Sequence, residues 1–263
     1  MKQVVETAAS RLGLTIIPSW RLGSLAHATD LRHVFRQLGI DTVLDVGANE
    51  GGYRRFLRQQ VGFKGRIVSF EPVASVYRRL AADASADSNW AGMPIALGDA
   101  DGELTINVGA RTTMSSFLQP DTPRLAGLGY SHLVQVTGVV STETTSVRRL
   151  DSVFRDVVAG TDSRVFLKCD TQGFDLKVIA GATDSLPSIA ALQIEMSFKP
   201  IYVGAPDYSA VLEQMTAAGF DVAGIYPVRR DELLRMVNFD CLMINSRHRA
   251  VLDMAPAVRG RTE

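Results

Sequence analysis

The stretch that decides the fold is Thr42-Val43-Leu44-Asp45-Val46-Gly47-Ala48-Asn49-Glu50-Gly51-Gly52-Tyr53. Its apolar run predicts a strand that is buried on both faces, and Gly47 permits a sharp turn after it. The later glycines lead into a segment that carries Tyr53, Phe56 and Leu57 at helical spacing. The pattern therefore predicts the first β-turn-α unit of a doubly wound α/β fold.

The loop in this unit does not carry the G-x-G-x-x-G fingerprint that places a pyrophosphate on a helix N-terminus. Three residues separate Gly47 from Gly51, and the acids Asp45 and Glu50 flank the turn. Two carboxylates beside a pyrophosphate would repel it by roughly 1 kcal/mol or more per close pair, even in a high dielectric. The loop favours a ligand with positive charge and counts against a nicotinamide dehydrogenase.

A second predicted strand, Arg66-Ile67-Val68-Ser69-Phe70-Glu71-Pro72, ends in an acid that lies 20 residues after Gly51. An acid at this strand end is placed to accept both hydroxyls of a ribose, and it disfavours a 2′-phosphate there. A ribose without phosphate, combined with a positive charge, describes S-adenosylmethionine.

The first stretch and Ser69-Phe70-Glu71-Pro72 together resemble the FkbM family of S-adenosylmethionine-dependent methyltransferases. The resemblance implies a Rossmann-like class I methyltransferase fold, with a mixed, mostly parallel seven-stranded sheet and helices on both faces. It also implies S-adenosyl-L-methionine as the cofactor and an oxygen acceptor, since family members methylate hydroxyls of sugars, glycolipids and polyketide-type metabolites. The cofactor is expected to contact Asp45, Gly47, Ala48, Asn49, Gly51, Glu71, Pro72 and Asp99.

Asp99 has two interpretations. It closes Met93-Pro94-Ile95-Ala96-Leu97-Gly98-Asp99, which predicts the third strand, and its carboxylate could accept a hydrogen bond from the exocyclic amine of adenine. It also begins Asp99-Ala100-Asp101-Gly102, a turn that leads into a predicted hairpin strand over residues 104–108. The family resemblance favours the binding interpretation.

A second stretch carries candidate catalytic residues. It is Val165-Phe166-Leu167-Lys168-Cys169-Asp170-Thr171-Gln172-Gly173-Phe174-Asp175, a predicted strand that ends in an acid before a helix. It resembles the fourth-strand motif of the family, except that Gln172 stands where many members carry a glutamate. Asp170 is the first candidate for a general base, because it closes this strand where the methyl group is expected. Lys168 points to the same side of the strand and could pair with Asp170 or orient the acceptor.

A fifth predicted strand, Ala191-Leu192-Gln193-Ile194-Glu195-Met196-Ser197-Phe198, makes Glu195 the alternative base or a partner for an acceptor hydroxyl. Ligands of open α/β sheets bind outside the carboxyl ends of the strands. A single acid there could be a helix cap, but a succession of them favours a site. The acids expected to converge on one crevice are Asp45, Glu71, Asp99, Asp170 and Glu195.

A divalent cation could be bound by Asp170, Glu195 and Asp240, because hard cations prefer several oxygen ligands. No spacing in the sequence requires such a site. No metal ligand is therefore assigned.

The length of 263 residues and the apolar composition predict one large α/β domain with a segment added at each end. Residues 1–40 predict an N-terminal helical cap, residues 41–246 the methyltransferase domain, and residues 247–263 a basic C-terminal tail. The cap is expected to pack on the sheet; in a sharper interpretation, Trp20 and Arg21 close the active site.

Within the domain, residues 109–149 are rich in Ser, Thr, Gly and Pro, which predicts a long excursion that is disordered or acts as a lid. His132 lies in it as a minor candidate for a base. The hydroxyls of Thr112, Thr113, Ser115 and Ser116 favour a sugar acceptor there.

The charge balance, with 28 basic and 28 acidic residues, gives no field that would attract nucleic acid or an anionic membrane surface. No apolar run approaches the ~18 residues of a membrane span, so a cytoplasmic protein without membrane insertion is expected. Cys169 and Cys241 lie in apolar runs and are expected to be structural. Association into a homo-oligomer stays open.

These features predict an S-adenosylmethionine-dependent O-methyltransferase that acts on a small-molecule hydroxyl, preferably on a sugar or glycolipid glycan. O-methylation of a polyketide or another secondary metabolite is one alternative. The other is a non-catalytic S-adenosylmethionine-binding partner subunit, which Gln172 keeps open because an amide cannot take a proton.

Overall fold

The computed structural model describes residues 23–127, 135–160 and 162–248. Its helices include α1 (Leu25–Leu38), α2 (Gly52–Phe56), α3 (Ala74–Ala84), α4 (Thr122–Gly127), α5 (Leu150–Val157), α6 (Asp175–Ala180) and α7 (Tyr208–Ala217). Its strands include β1 (Thr42–Val46), β2 (Arg66–Phe70), β3 (Trp90–Met93), β4 (Ala96–Leu97), β5 (Gly102–Gly109), β6 (Val139–Arg148), β7 (Val165–Cys169), β8 (Ile189–Ser197), β9 (Phe220–Arg230) and β10 (Met236–Asn245). A π-helical turn, Leu57–Val61, continues α2 and is capped by Gly62, which has a left-handed backbone.

Seven strands form one sheet in the order β3-β2-β1-β7-β8-β10-β9. The first five are parallel, and β10 runs antiparallel to both of its neighbours. The predicted mixed, mostly parallel seven-stranded sheet is confirmed. Chain order reverses between β1 and β7, where Asp45 pairs in register with Lys168. Such a reversal opens a crevice at the carboxyl ends of the strands, which is where ligands of this architecture bind.

Helices cover both faces of this sheet. On one face, α5 and α7 bury side chains such as Val153 and Met215 against the strands. On the other face, α1 buries Leu31 completely and packs Phe35 against Phe166 of β7, with ring centroids 4.9 Å apart. Each such side chain contributes about 1.5–3 kcal/mol by leaving water. The described part of the predicted cap therefore packs on the sheet, whereas Trp20 and the rest of residues 1–22 lie outside the described residues.

A second, three-stranded sheet has the order β4-β6-β5 and packs through Ile106 and Val108 against Val76 of α3. The predicted third strand is wrong in its bounds, because β3 of the main sheet ends at Met93 and residues 96–97 pair with β6 instead. Pro94 lies between the two segments and has no N–H to continue a ladder. The chain leaves the main sheet at this proline.

The predicted excursion is not a continuous loop. Residues 139–148 form β6, a strand rich in Thr and Val that pairs antiparallel with β5. A 3₁₀ turn, Thr112–Met114, and the short helix α4 precede it. His132 lies outside the described residues, as does the predicted basic tail beyond residue 248. Within the ranges described, none of the helices is long and apolar enough to cross a membrane.

Candidate active site

The turn after β1 passes very close to the end of β7. Gly47 has a φ of 77°, and a Cβ at this position would lie 2.0 Å from the backbone oxygen of Asp170. Gly51 has a φ of 78°, and a Cβ there would lie 2.8 Å from Cδ1 of Leu80. Both positions require glycine, since no side chain fits the space and the left-handed backbone disfavours one. The absence of a side chain at Gly47 therefore lets the turn approach the end of β7 closely.

Glu71 ties this turn to the end of β2. Its Oε2 accepts a hydrogen bond from the backbone N–H of Asn49, and its Oε1 accepts one from Val73, each over 2.9 Å. Burial raises the pKa of Glu71 to about 7, although the two backbone donors act in the opposite direction. Each oxygen keeps a further lone pair for a hydroxyl donor. Glu71 can therefore hold the loop and accept a hydrogen bond from a ligand at the same time.

A first cavity, of about 640 Å³, opens between this turn, the end of β7 and the second sheet. Its lining includes Gly47, Asn49, Glu71, Pro72, Leu97, Ile106, Thr112, Thr113, Ser115, Ser116 and Phe117. Thr171 also lines it, and its backbone N–H donates to Oδ1 of Asp175 over 2.9 Å. An acid that can accept hydroxyls thus faces a wall with apolar and aromatic side chains. This combination fits an adenosine, with polar contacts to the ribose and apolar contacts to the base.

Asp170 lies where three cavities meet. A second cavity, of about 950 Å³, is lined by Asp170, Glu195, Tyr202 and Asn238 among others. A third cavity, of about 1020 Å³, lies beside α1 and α2. Asp170 and Thr113 line all three. Asp170 is therefore at the junction of the three cavities.

Lys168 is a buried cation between two acids. Its Nζ lies 3.2 Å from Oδ2 of Asp170 and 3.7 Å from Oδ1 of Asp45. Burial opposes its charge, yet the neighbouring carboxylates raise the pKa of Lys168 above its ordinary value. Burial also raises the pKa of Asp45, which is fully buried and lines none of the three cavities. The predicted pairing of Lys168 with Asp170 is confirmed, whereas Asp45 supports the site through Lys168.

Gln172 bridges the two candidate bases. Its Nε2 donates to Oδ1 of Asp170 over 2.9 Å and to Oε2 of Glu195 over 3.0 Å. Its backbone has a φ of 55°, which a non-glycine residue seldom adopts, and its carbonyl accepts a hydrogen bond from Ser116. Burial and the neighbouring acids raise the pKa of Glu195 well above its ordinary value. The two carboxylates thus share one neutral donor.

Asn238 completes this arrangement, and the sequence analysis did not single it out. Its Nδ2 donates to Oε1 of Glu195 over 2.7 Å, while its buried Oδ1 has no hydrogen-bond partner among the residues described. It lies on β10, opposite Ser197 of the antiparallel strand β8. The available signal was the alternation of Asn238 and Asp240 with apolar residues in this last strand.

Tyr53, His27 and Gln193 form a second polar cluster that the sequence analysis missed. They line the third cavity together with Ala48, Lys168 and Asp240. Tyr53 donates from its hydroxyl to Oε1 of Gln193 over 2.9 Å, and His27 Nε2 lies 2.9 Å from the same oxygen. Gln193 is almost completely buried two residues before Glu195. Its place on the same side of β8 as Glu195 was the signal that could have revealed it.

Two acids that the sequence placed near the crevice have partners elsewhere. Asp99 accepts a hydrogen bond from Nζ of Lys177 over 2.7 Å, and this contact lowers its pKa. Asp99 lines none of the three cavities, because the chain has already left the main sheet at residue 94. Glu50 lines the third cavity, but it is exposed and pairs with Arg79 over 2.7 Å. The turn interpretation of Asp99 matches its position.

Most of the other residues predicted to bind the cofactor lie at the first cavity. Gly47, Asn49, Glu71 and Pro72 line the first cavity, and Gly51 supports the turn through its contact with α3. Cys169 and Cys241 are buried and free, as predicted. No group of three or more His, Cys, Asp or Glu side chains in the described ranges is arranged to hold a metal ion.

The sheet order defines a doubly wound α/β protein whose switch point lies between β1 and β7. A family model described as the methyltransferase FkbM domain matches residues 45–222, and the chain belongs to this family. The match supports S-adenosyl-L-methionine as the cofactor and a class I methyltransferase fold, and it sets the dehydrogenase alternative aside. No curated protein matches the sequence.

Several solved structures resemble this fold. The FkbM methyltransferase from Methylobacillus flagellatus KT is 14% identical, with a TM-score of 0.46 over 77% of this chain and 43% of that chain. Magnesium protoporphyrin IX methyltransferase from Synechocystis PCC 6803 is 10% identical, with a TM-score of 0.45 over 86% and 81%. Fibrillarin from Aeropyrum pernix is 11% identical, with a TM-score of 0.44 over 78% and 66%. The chain thus spans less than half of the Methylobacillus protein.

Proposed function

We propose that this protein is an O-methyltransferase that uses S-adenosyl-L-methionine and transfers its methyl group to a hydroxyl of a small molecule. A sugar or a glycolipid glycan is the preferred acceptor. The observation that carries the proposal is the position of Asp170, which lines both the cavity of Glu71 and the cavity of Glu195. A side chain at this junction can serve a donor in the first cavity and an acceptor in the second.

The residues of the first cavity fit the cofactor. Gly47, Ala48, Asn49 and Gly51 would shape the loop around the methionine end, and Glu71 would accept the ribose hydroxyls. Pro72 and the apolar wall would contact the adenine. When bound, S-adenosyl-L-methionine supplies a methyl group on a sulfonium. Nothing supports the proposed adenine contact of Asp99, because Lys177 holds its carboxylate.

Asp170 is the proposed general base. An alcohol must lose its proton as it attacks, and a carboxylate at hydrogen-bond distance contributes about 10² to 10⁴-fold to such a step. Lys168 and Gln172 each hold one oxygen of Asp170, which fixes the orientation of the carboxylate. Good positioning of two reactants adds an effective molarity of roughly 10⁵ to 10⁸ M. Glu195 is the alternative base, or it accepts a second hydroxyl of the acceptor.

The polar lining of the second cavity supports a sugar acceptor. Glu195, Ser197 and Tyr202 offer hydrogen-bond partners there, and Oδ1 of Asn238 is a buried acceptor without a donor. A polyol hydroxyl would satisfy this oxygen, because buried polar atoms are seldom left unpaired. A secondary metabolite with several hydroxyls is the alternative acceptor. The hydroxyls of Thr112, Ser115 and Ser116, which the sequence suggested for the acceptor, line the first cavity instead.

The test has two parts. Calorimetric titration with S-adenosylhomocysteine is expected to show binding, with no binding of NAD in parallel. Transfer of a labelled methyl group to a panel of neutral and acidic glycosides is then expected for at least one acceptor. S-adenosylhomocysteine binding without transfer to any hydroxyl compound would favour the non-catalytic partner subunit. Binding of NAD alone would overturn the proposal.

A further inference from the structure

The second cavity carries two arginines whose positive charges are not matched by an acid. Arg111 follows β5, Arg229 lies on β9, and both line this cavity. Neither side chain makes an ion pair or a hydrogen bond with another residue in the described part of the chain. Other arginines do: Arg54, Arg58 and Arg79 each contact a carboxylate within 3.2 Å or less. Arg111 and Arg229 therefore differ from the arginines that stabilise the fold.

The acids of the same cavity have donors of their own. Asp170 accepts from Lys168 and Gln172, and Glu195 accepts from two side-chain amides. Asp175 accepts from the backbone N–H groups of residues 171 and 173. None of these carboxylates lies within ion-pair distance of Arg111 or Arg229. The side-chain donors of Arg111, which is exposed, and of Arg229, which is half-buried, therefore have no protein acceptor within the described ranges.

The backbone holds both arginines at the wall of the cavity. Arg229 pairs in register with Asn238, the residue that donates to Glu195. The positive charge of Arg229 acts to lower the pKa of Tyr202, although burial dominates and raises it. Arg111 donates from its backbone N–H to the carbonyl of Val136 over 3.1 Å. The lining of the cavity thus combines acids and amides, among them Glu195 and Asn238, with the two arginines.

We infer that the acceptor of this enzyme carries an anionic group, a carboxylate or a phosphate, and that Arg111 and Arg229 bind it. Guanidinium groups bind both anions through paired hydrogen bonds, and they stay charged at every pH at which proteins are studied. If Glu195 and Asn238 bind hydroxyls and the two arginines bind an anion, the fitting acceptor is an acidic sugar, either a uronic acid or a sugar phosphate. This inference rests on the proposed function.

The test is a binding measurement on the whole protein saturated with S-adenosylhomocysteine. Methyl glucuronide and glucose 6-phosphate are titrated by calorimetry against methyl glucoside, which is the neutral match. At least one acid is expected to bind tenfold or more tightly than the neutral sugar, and the two acids distinguish a carboxylate from a phosphate. Arg111→Gln and Arg229→Gln are each expected to weaken binding of that acid at least threefold, and the double variant should abolish its advantage.

The matched control is Arg230→Gln. Arg230 is the next residue on the same strand, does not line the cavity and donates to the carbonyl of Leu234, so acid binding is expected to persist. Unchanged affinity of the variants for S-adenosylhomocysteine shows that they fold. The inference is overturned if acid and neutral sugar bind equally or if neither acid binds. It is also overturned if the double variant still binds the acid more tightly than the neutral sugar. Failure of S-adenosylhomocysteine to bind the wild type contradicts the proposed function instead.

Discussion

Gln172 donates a hydrogen bond from its side-chain amide to Asp170 over 2.9 Å, and the same nitrogen reaches Glu195 over 3.0 Å. One neutral group therefore donates to both carboxyl groups, to which Lys168 and Asn238 also donate. Even with this donor, burial and the neighbouring acids raise the pKa of Glu195 well above its ordinary value. The identity of residue 172 thus controls the electrostatics of the site.

Gln172→Glu places a third carboxylate between Asp170 and Glu195. At neutral pH this group is expected to take up a proton or a divalent cation, because like charges at hydrogen-bond distance cannot all ionise. Turnover at pH 7 is expected to fall at least tenfold, and the acidic limb of the pH profile should move to higher pH. Calcium titration by calorimetry is expected to show binding to this variant and none to Gln172→Ala. An unchanged pH profile and no calcium binding would contradict this account.

Asp170→Asn tests the assignment of the base. The amide keeps the shape of the side chain but cannot accept the proton of an acceptor hydroxyl, so turnover is expected to fall at least a hundredfold. Affinity for S-adenosylhomocysteine should change little. Glu195→Gln is the comparison, for which a higher KM with kcat less than tenfold lower is expected. Reversal of the two results would make Glu195 the base.

Gly47→Ala tests the close approach of the first turn to β7. The added methyl group would lie 2.0 Å from the backbone oxygen of Asp170, and the φ of 77° disfavours any side chain. Unfolding free energy is expected to fall by about 2 kcal/mol or more, with loss of S-adenosylhomocysteine binding. Gly52→Ala is the matched control, since a Cβ there meets nothing within 4 Å. Chemical denaturation measures both, and equal effects would contradict the argument.

Glu71 is expected to make the free energy of unfolding depend on pH, and its raised pKa fixes the sign of that dependence. The folded protein holds the proton to about pH 7, whereas an unfolded chain releases it near pH 4.5. The stabilisation from this group is therefore complete below pH 4.5 and is lost as pH rises to about 7, a change on the order of 3 kcal/mol. Denaturant titrations from pH 4.5 to 8 should show this loss in the wild type relative to Glu71→Gln. A difference that stays constant with pH would show that Glu71 titrates normally.

Local sequence patterns were sufficient for the parts of the site that lie on single strands. The buried run before Gly47 and the stretch that ends in Glu71 predicted β1 and β2. The stretch around Lys168 and Asp170 predicted β7 and their ion pair. These predictions succeeded because strand burial, turn glycines and strand-end acids depend on neighbouring residues in the chain, which a single sequence displays.

Tertiary structure alone decided how distant segments complete the cavities. Asn238 and Arg229 reach the site because β10 and β9 add to the sheet in antiparallel register. Arg111 reaches it because the second sheet lies beside the first, and Asp99 leaves it for the same reason. Pairing between strands far apart in the chain depends on the whole packed core, so no local pattern reveals which of these side chains faces the ligand.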